Sequence, residues 1–531
     1  MKKLLRKGPG SFLFESIGIP KTERQDPSGN AAWDIIDTKR KGETDMACTT
    51  ILVGKKASYD GSTMIARNED AMFVPKRMIV VEPEKQPRIY KTKISHLRIE
   101  LPDKPMRYTA NPNADLKDGV WYANGINEAN VGMSATETIT TNPRVMGADP
   151  YVVYQPRKGR NKEVPGGIGE EDFVAIVLPY VKTAREGVLR LGSLLEQYGT
   201  YEPNGIAFND ENEAWWLETI GGHNRMAKRV RDEEYVIMPN QLGIDEFDLE
   251  DAYGAQKEHL CSKGLKALIE DHHLNLNQGK KFNPRYALGS RSDADHIYNT
   301  PRAWFIGRYF NPTTYKWDGE DADFTPESDN IPWSLVPEKK ITVEDIKYVL
   351  SSYYQGTPYN PYLKADLPKK GYYRPIGVSR TGVMGLCQIR GYMPKQLRGI
   401  HWVSFGPNPF NVCVPVYANC HSIPDYLSKV TTDVSTDNLY WSSRILAALA
   451  DYDYGHCIQL IERYQAAVGN ASYRILNEYD GKMKKARKYD LCEEANRKVC
   501  EMAQKETVKA LNNVLEESSR HMRCGFNRAD N

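Results

Sequence analysis

The amino-acid sequence predicts an α+β fold, and three observations carry that prediction. Short runs rich in β-branched and aromatic residues, bounded by turn signals, fill most of the first half. Helical periods interrupt them, and from about Leu439 to Arg520 nearly all residues are helix formers. Antiparallel sheet with helices packed on or between sheets follows.

Along the chain, residues 1–47 are polar, mixed in charge and without sustained apolar period; KTERQDPSGN and DTKRKGETD are loop-like. They form a leader or propeptide, disordered or removed. Its first residues, MKKLLRKGPGSFLFESIGIP, start basic, but Gly8, Pro9, Gly10 and Glu15 break what a signal peptide keeps continuously apolar. From Cys48, TTILVG and TMIARNED flank KKASYDGS, whose Asp60-Gly61 marks a hairpin turn. Strand text continues in RMIVVEP, VWYANGINEANVGMSATET, NGIAFNDENEAWWLETIGG, HNRMAKRV and EEYVIMPNQ, with a turn at Asn209–Asn212. Two helical segments intervene, EEDFVAIVLPYVKTAREGVLRLGSLLEQYG, ended by Gly199, and QKEHLCSKGLKALIEDHH. Strands return in GVMGLCQIRG and GIHWVSFGPNPFNVCVPVY, and the tail closes the chain. The division is a leader (1–47), a sheet-rich domain (48–430) and a helical region (431–531) packed on that domain.

Composition narrows the function. Of 531 residues 40% are hydrophobic and 26% charged, with a formal net charge of +2, so no basic field for nucleic acid exists. No stretch reaches the roughly 18 apolar residues of a membrane span. The basic run Lys482, Lys484, Lys485, Arg487 and Lys488 is a solvated helix face. Nine cysteines, an odd and scattered number, do not make a disulfide framework and favour a reducing, cytoplasmic setting. There is no CxxC or HExxH, and the adjacent His272 and His273 diverge on any regular element, so neither metal nor cofactor is expected.

Cys48 stands apart. It follows the small residue Ala47 at the junction of leader and first strand. Cleavage between Ala47 and Cys48 would leave a residue bearing both a thiol and a free α-amine, whose ordinary pKa of roughly 7.7–8.0 suits it to take the thiol proton. The same N-terminus would arise from translation starting at Met46, so the leader is either a propeptide or a rarely used upstream start. Read without context, Cys48 is more simply a small buried hydrophobe opening a strand.

The run CTTILVGKKASYDGSTMIARNED closely resembles the opening of the peptidase family C69 dipeptidases, the dipeptidase A group of N-terminal-nucleophile hydrolases. Similarity continues through GINEANVGMSATET, AFNDENEAWWLET, VIMPNQ, YNTPRAW and RGIHWVSFGPNPF. The resemblance implies an αββα sandwich of two antiparallel sheets between helical layers, and hydrolysis of dipeptides through a thioester at Cys48 without metal. It also allows a homo-oligomer. Arg67, nineteen residues on and across the hairpin, favours thiolate; Asp70 holds the α-ammonium toward the sulfur. By the resemblance, Asn240 in VIMPNQ is an oxyanion donor and Arg302 in YNTPRAW a late active-site arginine that binds substrate. Relatives that cleave N-acyl amides carry Asn where this chain has Glu137, a carboxylate suited to a dipeptide's free ammonium. His401 needs no role in this chemistry. Two other readings stay open: an N-acyl amide hydrolase of the bile-salt hydrolase or penicillin V acylase kind, and a non-catalytic peptide- or sugar-binding protein whose 32 Tyr and 9 Trp line its surface.

Overall fold

The structure, a computed structural model, describes residues 48–522 apart from 72–73, 280 and 488. The leader with Ala47, together with Lys488 and Cys524, lies outside the described residues. Two large antiparallel sheets dominate. The first runs β15-β13-β1-β2-β16-β17-β18 and is made from β1 (Thr49–Val53), β2 (Thr63–Glu69), β13 (Tyr235–Met238), β15 (Ser334–Leu335), β16 (Val383–Ile389), β17 (Gly399–Phe405) and β18 (Val414–Tyr417). The second follows the path β14-β12-β11-β10-β8-β7-β6-β3, with β9 also paired to β10. Its strands are β3 (Ile79–Val81), β6 (Tyr108–Ala110), β7 (Asn124–Asn127), β8 (Gly132–Ser134), β9 (Glu137–Thr138), β10 (Asn204–Asn209), β11 (Ala214–Ile220), β12 (Asn224–Val230) and β14 (His259–Cys261). A small ribbon pairs β4 (Ile89–Lys91) with β5 (Arg98–Glu100). The β1–β2 hairpin turns through Gly61 at φ 81°, and β10–β11 through Asn209–Asn212.

Strand alternation sorts the core. Leu52 of β1 and Ile65 of β2 share a cluster with Ala207, Trp216 and Met226 of the second sheet. Their neighbours Ile51, Val53, Met64 and Ala66 face the other way, onto helices. The second sheet does the same: Phe208, Trp215 and Leu217 pack with Phe173, Val174 and Leu191 on helices beyond it. The two sheets approach closely where Gly385 of β16 stands opposite Arg67, because a Cβ there would come within 1.7 Å of the Asn124 side-chain nitrogen on β7.

The first helical segment is two helices, α1 (Glu170–Val177) and α2 (Ala184–Tyr198), separated by a 3₁₀ turn at Leu178–Tyr180. Pro179 has no N–H to continue the ladder, the Thr183 side chain caps α2, and Gly199 at φ 68° ends it. The second segment departs from the sequence reading: His259–Cys261 is a strand because it pairs with Met226–Lys228, and only Leu265–Asp271 is helical. On the far face of the first sheet lie α3 (Thr300–Phe310) and α4 (Val343–Leu350). The tail forms α5 (Leu439–Tyr452), α6 (Tyr454–Ala486) and α7 (Cys492–Arg520). Asn496 of α7 accepts from the Tyr417 N–H at 2.8 Å and donates to the Tyr417 carbonyl at 3.2 Å, covering the outer edge of β18. No described helix is long and apolar enough to cross a membrane.

Candidate active site

Cys48 immediately precedes β1. It is two residues from Thr50 and four from Leu52, so the pleat turns it toward the second sheet. Register then supplies its neighbour: Arg67 of β2 pairs with Thr50, and its Nη2 donates to the Cys48 Sγ at 2.9 Å. The same nitrogen donates to Glu170 Oε1, at the head of α1, at 2.6 Å. Cys48, Arg67 and Glu170 are all buried. Burial pushes the Cys48 thiol up; Arg67 opposes this, while Glu137, Glu170 and Asp70 add to it. The thiol is therefore protonated in the chain as it stands.

Glu137 enters from β9 of the second sheet. Its Oε2 accepts from Thr50 Oγ1 at 2.7 Å, and its buried Oε1 has no hydrogen-bond partner. Burial raises it to about 8 against the pull of Arg302, Arg67 and Thr50. A half-satisfied, fully buried carboxyl is costly to keep unless a ligand supplies the missing donor.

Asp70 follows β2. One oxygen accepts from Arg374 Nη2 at 2.5 Å and the other from Thr381 Oγ1 at 2.6 Å. Arg302, on α3, reaches across to Cys48: Nη1 donates to the Cys48 carbonyl and to Thr49 Oγ1 at 2.8 Å. Its Nη2 donates to Asn240 Oδ1 at 2.7 Å and Asn299 Oδ1 at 2.6 Å, and its Nε to the Tyr298 carbonyl at 2.6 Å. All five guanidinium N–H groups are thus spent on the protein. This departs from the reading of Arg302 as a substrate contact; its bonds hold the Cys48 main chain. Asn240, two residues beyond β13, gives one side-chain hydrogen to the Thr138 carbonyl at 2.8 Å and its backbone N–H to Asn299 at 3.1 Å. One amide hydrogen of its side chain remains.

The structure thus gathers Cys48, Arg67, Asp70, Glu137, Asn240 and Arg302 around one strand end. It adds Glu170, Thr50, Asn299, Arg374 and Thr381, which sequence reasoning missed. Glu170 sits in an acidic run opening a helix, where acids are ordinary, and Arg374 and Thr381 lie in loop text without period. Asn299, inside the quoted YNTPRAW, and Thr50, inside the quoted CTTILVG run, were within reach. His401 is buried between the sheets, bonded to Asn111 and Thr109, and burial lowers it to about 3, so it stays neutral. A surface cavity of about 730 Å³ near Lys347, Tyr353 and Trp402 shares no residue with this cluster. The eight described cysteines are free thiols.

Residues 47–467, which hold every residue of this cluster, match the family model of peptidase family C69. A protein named dipeptidase from Bifidobacterium longum is 60% identical over 441 residues, covering 82% of this chain and 83% of its own length. A probable dipeptidase A from Streptococcus pyogenes is 48% identical over 490 residues, 91% of this chain and all of its own. Dipeptidase A of Lactobacillus helveticus is 40% identical over 479 residues, 88% and 96% respectively. A match over most of the chain, with relatives at this identity, places it: the chain belongs to peptidase family C69.

Proposed function

We propose that this peptidase is a cysteine dipeptidase of the N-terminal-nucleophile type, built as an αββα stack and matured by cleavage between Ala47 and Cys48. The observation that carries the proposal is the buried Cys48 thiol held 2.9 Å from the Arg67 guanidinium at the head of β1. Relatives at 40–60% identity named dipeptidase support the substrate class.

In the matured chain the α-amine of Cys48 accepts the thiol proton. Arg67 stabilises the thiolate, and the Asp70 carboxylate, fixed by Arg374 and Thr381, favours the ammonium so formed. Arg302 keeps the Cys48 carbonyl, and with it the amine, from turning away. Glu137 receives the free ammonium of the dipeptide on its open oxygen. Sulfur attacks the scissile carbonyl, and the remaining Asn240 amide hydrogen, with a backbone N–H, meets the oxyanion. The C–N bond breaks as the amine returns its proton to the departing amino acid; water then cleaves the thioester and frees the first one. Free cysteines support a cytoplasmic setting.

Intact mass and N-terminal sequencing of active protein, followed by a dipeptide panel, test this. Active chains are expected to begin at Cys48, and Cys48→Ala to fold but not turn over. Retained activity in Cys48→Ala refutes the nucleophile, and full activity in a chain still carrying Ala47 refutes the amine as base.

A further inference from the structure

Outside the Cys48 cluster, two histidines and an aspartate converge at the seam of the helical tail. Asp453 sits between α5 and α6, His456 in the first turn of α6, and His521 at the C-terminal end of α7. His456 Nδ1 lies 2.6 Å from one Asp453 oxygen and His521 Nδ1 2.8 Å from the other. The two rings stack with centroids 3.9 Å apart and planes at 21°. One ligand atom from each of the three residues lies within 4.8 Å of the other two.

We propose that Asp453, His456 and His521 form a structural binding site for a divalent transition-metal ion of the Zn²⁺ class. Two imidazoles and one carboxylate are donors that suit Zn²⁺, Co²⁺ or Ni²⁺ and not Mg²⁺ or Ca²⁺. The framework is preorganised: Ser518 of α7 already bonds the Leu449 carbonyl on α5 and meets the Cys457 thiol on α6, both at 3.4 Å. At ordinary Zn–N and Zn–O lengths of about 2.0–2.2 Å, tetrahedral ligands stand roughly 3.3 Å apart, so the present pairs open by about half an ångström. The imidazoles must also turn off their stack. With 56% and 38% of their side chains exposed, they meet little resistance in doing so. Water fills the remaining positions, or Glu517, whose carboxylate is 4.0 Å from His521 Nδ1.

A bound ion would tie the end of the last helix to the α5–α6 junction, and no step of hydrolysis runs through it. No spacing signals the cluster: Asp453 and His456 are a common helix-start pair, and His521 joins them only through packing of α7 on α5 and α6.

The test uses Co²⁺ titrated into the Cys48→Ala full chain, read by absorption, with melting temperature followed alongside Zn²⁺. One equivalent without a thiolate-to-metal charge-transfer band, and a rise in melting temperature of several degrees, are expected. His456→Ala and His521→Gln, both at exposed positions, are expected to weaken binding at least about tenfold and abolish the thermal shift. In the wild-type enzyme a chelator is expected to lower the melting temperature and leave kcat/KM for a dipeptide unchanged. Binding below half an equivalent, a thiolate band, or affinity unaltered in both histidine variants overturns the proposal.

Discussion

Glu137→Gln separates a specificity role from mere burial. The wild-type carboxyl, raised to about 8, is about nine-tenths protonated at pH 7. Only the carboxylate pairs with a dipeptide's ammonium, so binding at pH 7 must release close to one proton. Wild-type kcat/KM relative to the variant is therefore expected to climb about tenfold per pH unit from 6 to 7 and level off above about 8. On the plateau, loss of a desolvated ion pair worth about 2–5 kcal/mol predicts a deficit of roughly 30-fold or more for the variant. Near pH 6, where only about one carboxyl in a hundred is ionised, a deficit of roughly 30-fold disappears. Taking the ratio of the two enzymes cancels titration of the substrate amine. N-acetylated dipeptides lack the ammonium and should show neither the pH limb nor the deficit. Stability gives the opposite sign. A carboxyl raised on folding from 4.5 to about 8 destabilises the native state increasingly between those values, by on the order of 5 kcal/mol at the top. Glu137→Gln should then melt higher than wild type at pH 8 and equally at pH 4. A wild-type/variant ratio independent of pH, or equal slowing of free and acetylated substrates, would refute the reasoning and favour an N-acyl amidase.

The other perturbations act on neighbouring parts. Arg67→Ala and Asp70→Ala are expected to lower kcat by roughly 10²-fold or more, measured in steady state on chains shown to begin at Cys48; effects of a few-fold would make both structural. Arg302→Lys replaces five donors with three and strands at least two buried acceptors, costing about 2–6 kcal/mol by denaturant melts, with kcat falling and KM little changed because it holds the carbonyl of Cys48, the proposed nucleophile. Gly385→Ala pushes against Asn124 and is expected to cost about 1–3 kcal/mol, with loss of activity beyond the loss of folded protein because the strand carrying Arg67 moves.

Much of this architecture was legible. The β1–β2 hairpin could be read from its apolar runs and Asp60-Gly61, and the tail from its helical period, because both signals are local. His259–Cys261 misled because three residues become a strand only through a partner more than thirty residues away. In the site, Cys48 and Arg67 were readable because a hairpin's register links them. Glu170 reaches Arg67 from a helix 103 positions on, and Arg374 reaches Asp70 from a loop 304 positions on; no spacing rule spans such gaps. Arg302 was located by motif, but its role depended on counting donors, which only coordinates allow.

The pairing of Asn496 with Tyr417 gives the helical tail a duty unrelated to catalysis. An amide side chain presents one donor and one acceptor at about the spacing of a peptide group, so at β18 it imitates a neighbouring strand for the length of one residue. A seven-stranded sheet that ended there uncovered would offer its edge to a second molecule, and edge pairing of that kind propagates. Shortening the chain before Asn496 would therefore expose a template for polymerisation before it touched the thiol, and Asn496→Leu would do so in miniature: an intact Cys48 cluster beneath a surface that sticks to itself.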